Sequence, residues 1–363
     1  MLFIFAALSA GSYGGGSTSG LFAALTAWRF LLGLAIGSEY PAGSVAAAES
    51  SGELKAGTRH RWFIFATDCA IDFGFVIAAF VPMVVVLATT EDHLRVAWRI
   101  MLGLGVIPPL SLLYLRLKLK EPEAYVQTAM KNTPVWLTIK FYWFRLLTCG
   151  LIWFIYNFSA YGFGIYSSAI LDNLLGNDNR LWVTFGWNTV LNLWYMPGCI
   201  FGVWVSDWIG PRYALTLGVT LQAIVGFIMA GCYKYLNEPS RVGGFVVVYG
   251  IFLALGEVGP GDNIGLISSK TSATPVRGRY YATAAALGKV GAFVGTYLFP
   301  IIQDNAPTPL RAGQDPFWVV SSLAIFSGMV AFFCLPISRK IPLMPRTEDL
   351  RHTYRSMVVP EKH

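Results

Sequence analysis

Residues 141–171 read FYWFRLLTCGLIWFIYNFSAYGFGIYSSAIL, a run of 31 residues with a single charge, Arg145. An α-helix rises ~1.5 Å per residue, so ~20 apolar residues cross the ~30 Å hydrocarbon core of a bilayer. The run therefore predicts a membrane-spanning helix. Within it Trp153, Asn157 and Tyr161 stand at i, i+4 and i+8, lined along one helix face about a turn apart. A polar stripe in an apolar helix must look at protein or water, not at lipid. Trp, Asn and Tyr together can give hydrogen bonds and an apolar wall to a small polar ligand. The same stripe can also serve as a hydrogen-bonded seam between helices.

Outward from this stretch the pattern repeats. Apolar segments at 1–13, 21–47, 62–88 and 98–117 precede it, and segments at 181–205, 213–233, 242–268, 280–302 and 317–337 follow. The ten segments predict an all-α membrane protein, the first being too short to cross alone. Composition agrees, with 55% hydrophobic, 15% aromatic and 13% charged residues. A soluble domain carries about a quarter charged residues. The abundant aromatic residues suit lipid-facing walls and interfacial belts.

A net charge of +7 could suggest a nucleic-acid partner, so its distribution decides. If the segment 116–140 is cytoplasmic, that side of the membrane carries eighteen of the 27 Lys and Arg residues and the opposite loops carry five. Such asymmetry sets orientation in a membrane and accounts for the charge without nucleic acid. It places the C-terminal tail in the cytoplasm. The charged connector divides the chain into an N-terminal bundle (1–117), a connector (118–140), a six-helix C-terminal bundle (141–338) and a tail (339–363). Four segments before the connector and six after it lead to the expectation that two helices at the front of a twelve-helix, two-repeat transporter are missing.

Charged side chains inside spans are costly, about 2.5–3.5 kcal/mol each on insertion scales, and each needs a reason. Glu39, Asp68, Asp72, Glu257, Asp262 and Lys289 fall deep in the segments, with Arg29 and Arg145 nearer the ends. Each could form a buried pair or serve a ligand. The five cysteines, Cys69, Cys149, Cys199, Cys232 and Cys334, show no metal-ligand spacing and no paired framework, and read as small buried hydrophobes. The four histidines, His60, His93, His352 and His363, lie in loops or the tail, and no catalytic or metal-binding set is recognisable. An enzyme is not expected.

Gly202-Val-Trp-Val-Ser-Asp207-Trp-Ile-Gly210-Pro-Arg212 resembles the G-x-x-x-D-x-x-G-x-R loop of the major facilitator superfamily, with four residues in place of three between Gly202 and Asp207, and lies between the second and third helices after the connector. Arg29 to Gly37, R-x-x-x-G-x-x-x-G, resembles that superfamily's fourth-helix motif. The resemblance implies two helical bundles related by a pseudo-two-fold axis, about ten of the helices being present here. Gly-Ser-Glu-Tyr-Pro at 37–41 and Leu-Gly-Lys-Val-Gly-Ala at 287–292 resemble motifs of the phosphate:proton symporter group. Gly259-Pro-Gly-Asp-Asn-Ile-Gly-Leu266 and the segment 98–118 are more similar to fungal glycerophosphoinositol and glycerophosphocholine permeases.

Carried over residue by residue, the resemblance implies a substrate site of Tyr40, Asp68, Trp153, Asn157, Tyr161, Asn263 and Lys289. It assigns Gly202, Asp207, Gly210 and Arg212 to conformational gating. Phosphate symporters have an acid where this chain has Asn157 and a glutamine where it has Asp68, which favours a head group other than inorganic phosphate. The implied activity is proton-coupled uptake of a glycerophosphodiester or phosphate-type organic anion, with Glu39 as the proton carrier. The expected setting is a fungal plasma membrane, as a monomer, with the proton gradient as energy source and no cofactor. A sugar or polyol porter, to which Glu121-Pro-Glu123 also points, and a non-functional truncated transporter are the alternatives.

Overall fold

The computed structural model describes residues 1–50, 58–116, 135–176, 180–272 and 276–335. Its regular elements among the described residues are all helical. The N-terminal half holds α1 (Leu2–Ala10), α2 (Thr18–Ser50), α3 (Arg59–Ile64), α4 (Ala70–Thr89), α5 (Leu94–Leu104) and α6 (Ile107–Arg116). The C-terminal half holds α7 (Val135–Leu175), α8 (Leu181–Leu193), α9 (Tyr195–Ile209), α10 (Pro211–Leu236), α11 (Val242–Gly256), α12 (Asp262–Lys270), α13 (Arg277–Asp304) and α14 (Pro309–Cys334).

Among the described residues eight helical stretches are long and apolar enough to cross a membrane. The two other expected segments are α1, with nine residues, and α8 and α9 in succession, which are interrupted at Trp194. The connector residues 117–134 and the tail from 336 onward, including Glu121-Pro-Glu123, lie outside the described residues.

Two breaks shape the spans. Between α3 and α4 the turn Phe65–Cys69 is π-helical. Between α11 and α12 the turn Glu257–Gly261 is also π-helical, with Gly259 at φ −84°, ψ −110° beside Pro260. Proline lacks the N–H that would continue the ladder, and such bulges concentrate at functional sites. Gly210, at φ +92°, ends α9 in a backbone region that favours glycine, and Pro211 opens α10, where no N–H is missed.

The C-terminal half has a core of its own. Phe163, Tyr249, Phe252, Phe299 and Phe317 interlock, fully buried. Helices α7 and α13 touch backbone to backbone, because a Cβ at Gly291 would lie 2.2 Å from the Phe154 carbonyl and one at Gly295 2.3 Å from that of Phe158. Small residues are what permits this approach in a membrane, where no hydrophobic force draws helices together.

The two halves meet along α3–α4 and α8–α9. At one end Glu91 Oε1 accepts from the Leu181 N–H at 2.7 Å. In the middle Phe75 and Tyr195 have ring centroids 5.9 Å apart. At the other end Arg61 donates to Asp207 at 3.1 Å and stacks on Trp204. The expectation of unpaired cysteines is corrected here: Cys69 and Cys199 form a disulfide across this seam, with Cα atoms 5.8 Å apart and 130 residues between them. Cys149 is free and buried, Cys334 is half-buried and Cys232 is exposed.

Candidate substrate site between the two halves

Lys289 stands in the middle of α13. Its Nζ donates to the Tyr161 hydroxyl at 2.5 Å, and lies 4.4 Å from the Tyr161 ring centroid and 5.4 Å from that of Tyr40. Tyr161 comes from α7 and Tyr40 from α2, so both halves contribute to this group. Among the described residues Lys289 makes no ion pair. Aromatic faces attract its ammonium but leave the charge uncompensated.

Behind the lysine sits an aromatic wall. Tyr40 lies 6.4 Å from Trp153 and 6.1 Å from Tyr281, and Trp153 meets Tyr281 edge-on at 5.3 Å. The stripe read from the sequence thus divides. Trp153 and Asn157 pack against α13 at Gly288, where a Cβ would meet Trp153 at 2.8 Å and Asn157 Nδ2 at 3.0 Å. Tyr161, two turns on from Trp153, reaches the lysine. Asn157 Nδ2 is buried without a hydrogen-bond partner, a donor left over beside the group.

Two expected site residues lie elsewhere. Asn263 is wholly buried and its groups are spent within the protein. Its Nδ2 donates to the carbonyls of Val258 and Gly259 at 3.0 and 2.8 Å, and its Oδ1 accepts from Ser206 at 2.7 Å. It steadies the α11–α12 break and ties it to α9. Asp68 sits on the Phe65–Cys69 turn, beside Asp262 and Glu257 of the opposite half, in an acidic group that also takes in Asp72. Sequence reading noted these acids singly; the pairing across the halves was not visible. Tyr281, in the aromatic wall, and Tyr156, which donates to Glu257 at 2.6 Å, were not singled out either.

Glu39 is half-buried and lines a cavity of about 910 Å³ within the N-terminal half, with Arg29, Tyr40, Ser44, Thr67 and Met101 among its walls. Gly202 provides the seat on which Asp262 rests: a Cβ there would lie 1.9 Å from Asp262 Oδ2. Asp207 takes Arg61, and His60 Nδ1 stands 3.9 Å away. Arg212 donates to the Phe332 carbonyl and lies 5.4 Å from the rings of Tyr213 and Phe332. Asp207 therefore links the halves, whereas Arg212 links α10 to α14.

Two helical halves, whose spans pack on one another through glycine, with a lysine between them, make a multi-pass helical membrane fold of the major facilitator type. The proton:xylose symporter XylE of E. coli, a member of that superfamily, superposes with a TM-score of 0.76 at 15% identity, covering 96% of this chain and 81% of that one. The chain belongs to the sugar (and other) transporter family, which it matches over residues 1–134 and 122–349. It is 50% identical over 344 residues to a glycerophosphodiester transporter of Candida albicans, and 47% identical over 342 residues to a glycerophosphocholine permease of the same organism. Each alignment covers 93% of this chain and 64% of the relative, so the chain spans a little under two thirds of their length.

Proposed function

We propose that the chain takes up glycerophosphodiester-type organic anions by proton-coupled alternating access across a fungal plasma membrane. The observation that carries this reading is Lys289, a mid-helix cation framed by tyrosines of both halves and without a carboxylate among the described residues. A phosphodiester brings one negative charge to the ammonium and oxygens that accept from tyrosine hydroxyls and from Asn157 Nδ2. A neutral sugar would gain no more than a hydrogen bond from the lysine. The relatives' named substrates support the same class.

In this reading residues 1–117 and 141–338 are the moving halves, with the Arg61–Asp207 end facing the cytoplasm. Glu39 takes a proton from the large cavity, so that the loaded site reorients with less net charge. The carrier works as a monomer, with the proton gradient and no cofactor. The test is uptake of labelled glycerophosphoinositol, glycerophosphocholine, phosphate and inositol by a transport-deficient yeast expressing the chain or its Lys289→Gln variant. Loss of phosphodiester uptake with normal membrane insertion is the expected result. Phosphodiester uptake at the unmodified rate would remove the anion site and favour a polyol porter.

A further inference from the structure

The acidic group on the seam makes no ion pair with Lys289. Asp68 and Asp72 come from the N-terminal half, and Glu257 and Asp262 from the C-terminal half. Carboxylate oxygens of Asp68 and Asp72 and the sulfur of Cys199 all lie within 4.8 Å of one another, as do an Asp262 oxygen and the sulfurs of Cys69 and Cys199. Asp72, Glu257 and Asp262 are 1%, 3% and 2% exposed. Both oxygens of Asp262 are buried without a hydrogen-bond partner, and so are the Oδ2 atoms of Asp68 and Asp72. Asp262 reaches across the seam to Asp68, carboxyl against carboxyl.

No lysine, arginine or histidine among the described residues forms an ion pair with any of the four acids. The titratable groups that face them from the packed helices are tyrosines: Tyr156 on α7, Tyr195 on α9, Tyr40 on α2 and Tyr281 on α13. Tyrosines give O–H donors but no positive charge. Carboxylates this close in a low-dielectric interior cannot all be ionised together. Protonated carboxyls, by contrast, donate to one another and satisfy the orphaned oxygens. The glycines set the available room, for a Cβ at Gly202 or Gly261 would stand 1.9 Å from an oxygen of Asp262 or Glu257. A proton is the cation that needs no space.

We propose that Asp68, Asp72, Glu257 and Asp262 form a shared proton site across the seam, which holds the halves together when protonated and drives them apart when protons leave. Opening the seam splits the four acids two and two, which relieves their repulsion. Each proton enters from water on one side of the membrane and leaves to water on the other. Asp68 also lies near Tyr40, whose ring flanks Lys289, so the proton site and the anion site share a wall. This inference rests on the reading of the chain as a carrier with two moving halves.

The test uses the chain in lipid nanodiscs with the Cys69–Cys199 bond reduced. Infrared difference spectra between acid and alkaline pH read the carboxylic-acid C=O band directly. Spin labels introduced through Trp62→Cys and Trp208→Cys, at exposed positions of α3 and α9, report the separation of the halves. Raising the pH is expected to remove part of the band and lengthen the distance. Asp72→Asn and Asp262→Asn each should lose band intensity, and together they should hold the short distance at every pH. Both signals are read without added substrate, so a failed substrate reading does not imitate a failed proton site. An unaltered band in both variants, a distance insensitive to pH in the unmodified chain, or a band shifted by sodium or calcium in place of pH would overturn the proposal. If the double variant fails to insert, the band in Asp72→Asn alone decides.

Discussion

In the N-terminal half the spans Thr18–Ala48, His60–Thr89 and Glu91–Tyr114 are 6%, 22% and 6% buried over their most apolar windows. In the C-terminal half Lys140–Leu175 and Pro239–Lys270 reach 67% and 61%, and the least buried span there reaches 33%. By hydropathy the two sets overlap, so hydropathy marks what can enter a bilayer and says nothing of how tightly it packs. The tight half is sealed by glycine contacts and an aromatic core. The N-terminal half borders an open cavity of about 910 Å³ lined by its ionisable residues Arg29 and Glu39, whereas Glu257 and Asp262 of the C-terminal half are enclosed by protein. The C-terminal half holds Lys289, and the N-terminal half brings Tyr40 to it.

The contrast can be broken most completely at the seam. Oxidised Cys69–Cys199 joins the halves covalently, and a carrier that must part them cannot then cycle. Uptake is expected to fall to background under oxidising conditions and to recover with reductant, while Cys199→Ser should be indifferent to both. Equal uptake by the oxidised and reduced chain would mean that this seam does not open.

Glycine substitutions sharpen the packing comparison. Gly291→Ala and Gly295→Ala push a methyl into the α7 backbone and should each cost about 1–3 kcal/mol, read as a lower midpoint of thermal unfolding in detergent. A smaller loss is expected from Asp207→Ala, which removes the Arg61 contact between the halves. The transport rate should drop about tenfold, or ~1.4 kcal/mol, with substrate affinity unchanged in a binding assay. The smallest effect, and of opposite sign, belongs to the loose half. A Cβ at Gly33 or Gly37 meets nothing within 4 Å, so Gly33→Ala and Gly37→Ala should stabilise their helix by about 0.5–1 kcal/mol. Destabilisation at these two positions would show that the helix face is occupied in the membrane.

Much of this arrangement is legible in the sequence, and the limit is set by distance along the chain. Spans follow from local runs of apolar residues, and the α11–α12 break from Gly-Pro-Gly at 259–261. The lysine's partner is foreshadowed by the i, i+4, i+8 stripe, because helical spacing is a local property. Trp153 and Asn157 nevertheless belong largely to the α7–α13 seam, since which side of a stripe meets a ligand depends on the neighbouring helix. Asn263 reads as a ligand contact next to a broken helix, yet the break itself consumes its amide. The Cys69–Cys199 bond and the Asp68–Asp262 pairing join residues more than a hundred positions apart, with no periodicity to link them. A hint lay in the charge balance, five acids deep in the spans against one lysine.

Lys289 is proposed to bind the anionic group of a phosphodiester. Equilibrium binding of labelled glycerophosphoinositol and of inositol to the purified chain in nanodiscs, with and without Lys289→Gln, tests it most directly. The phosphodiester is expected to bind the unmodified chain, inositol to bind far more weakly, and the variant to lose at least tenfold in affinity for the phosphodiester alone. Equal affinity of the variant and the unmodified chain for glycerophosphoinositol would contradict it.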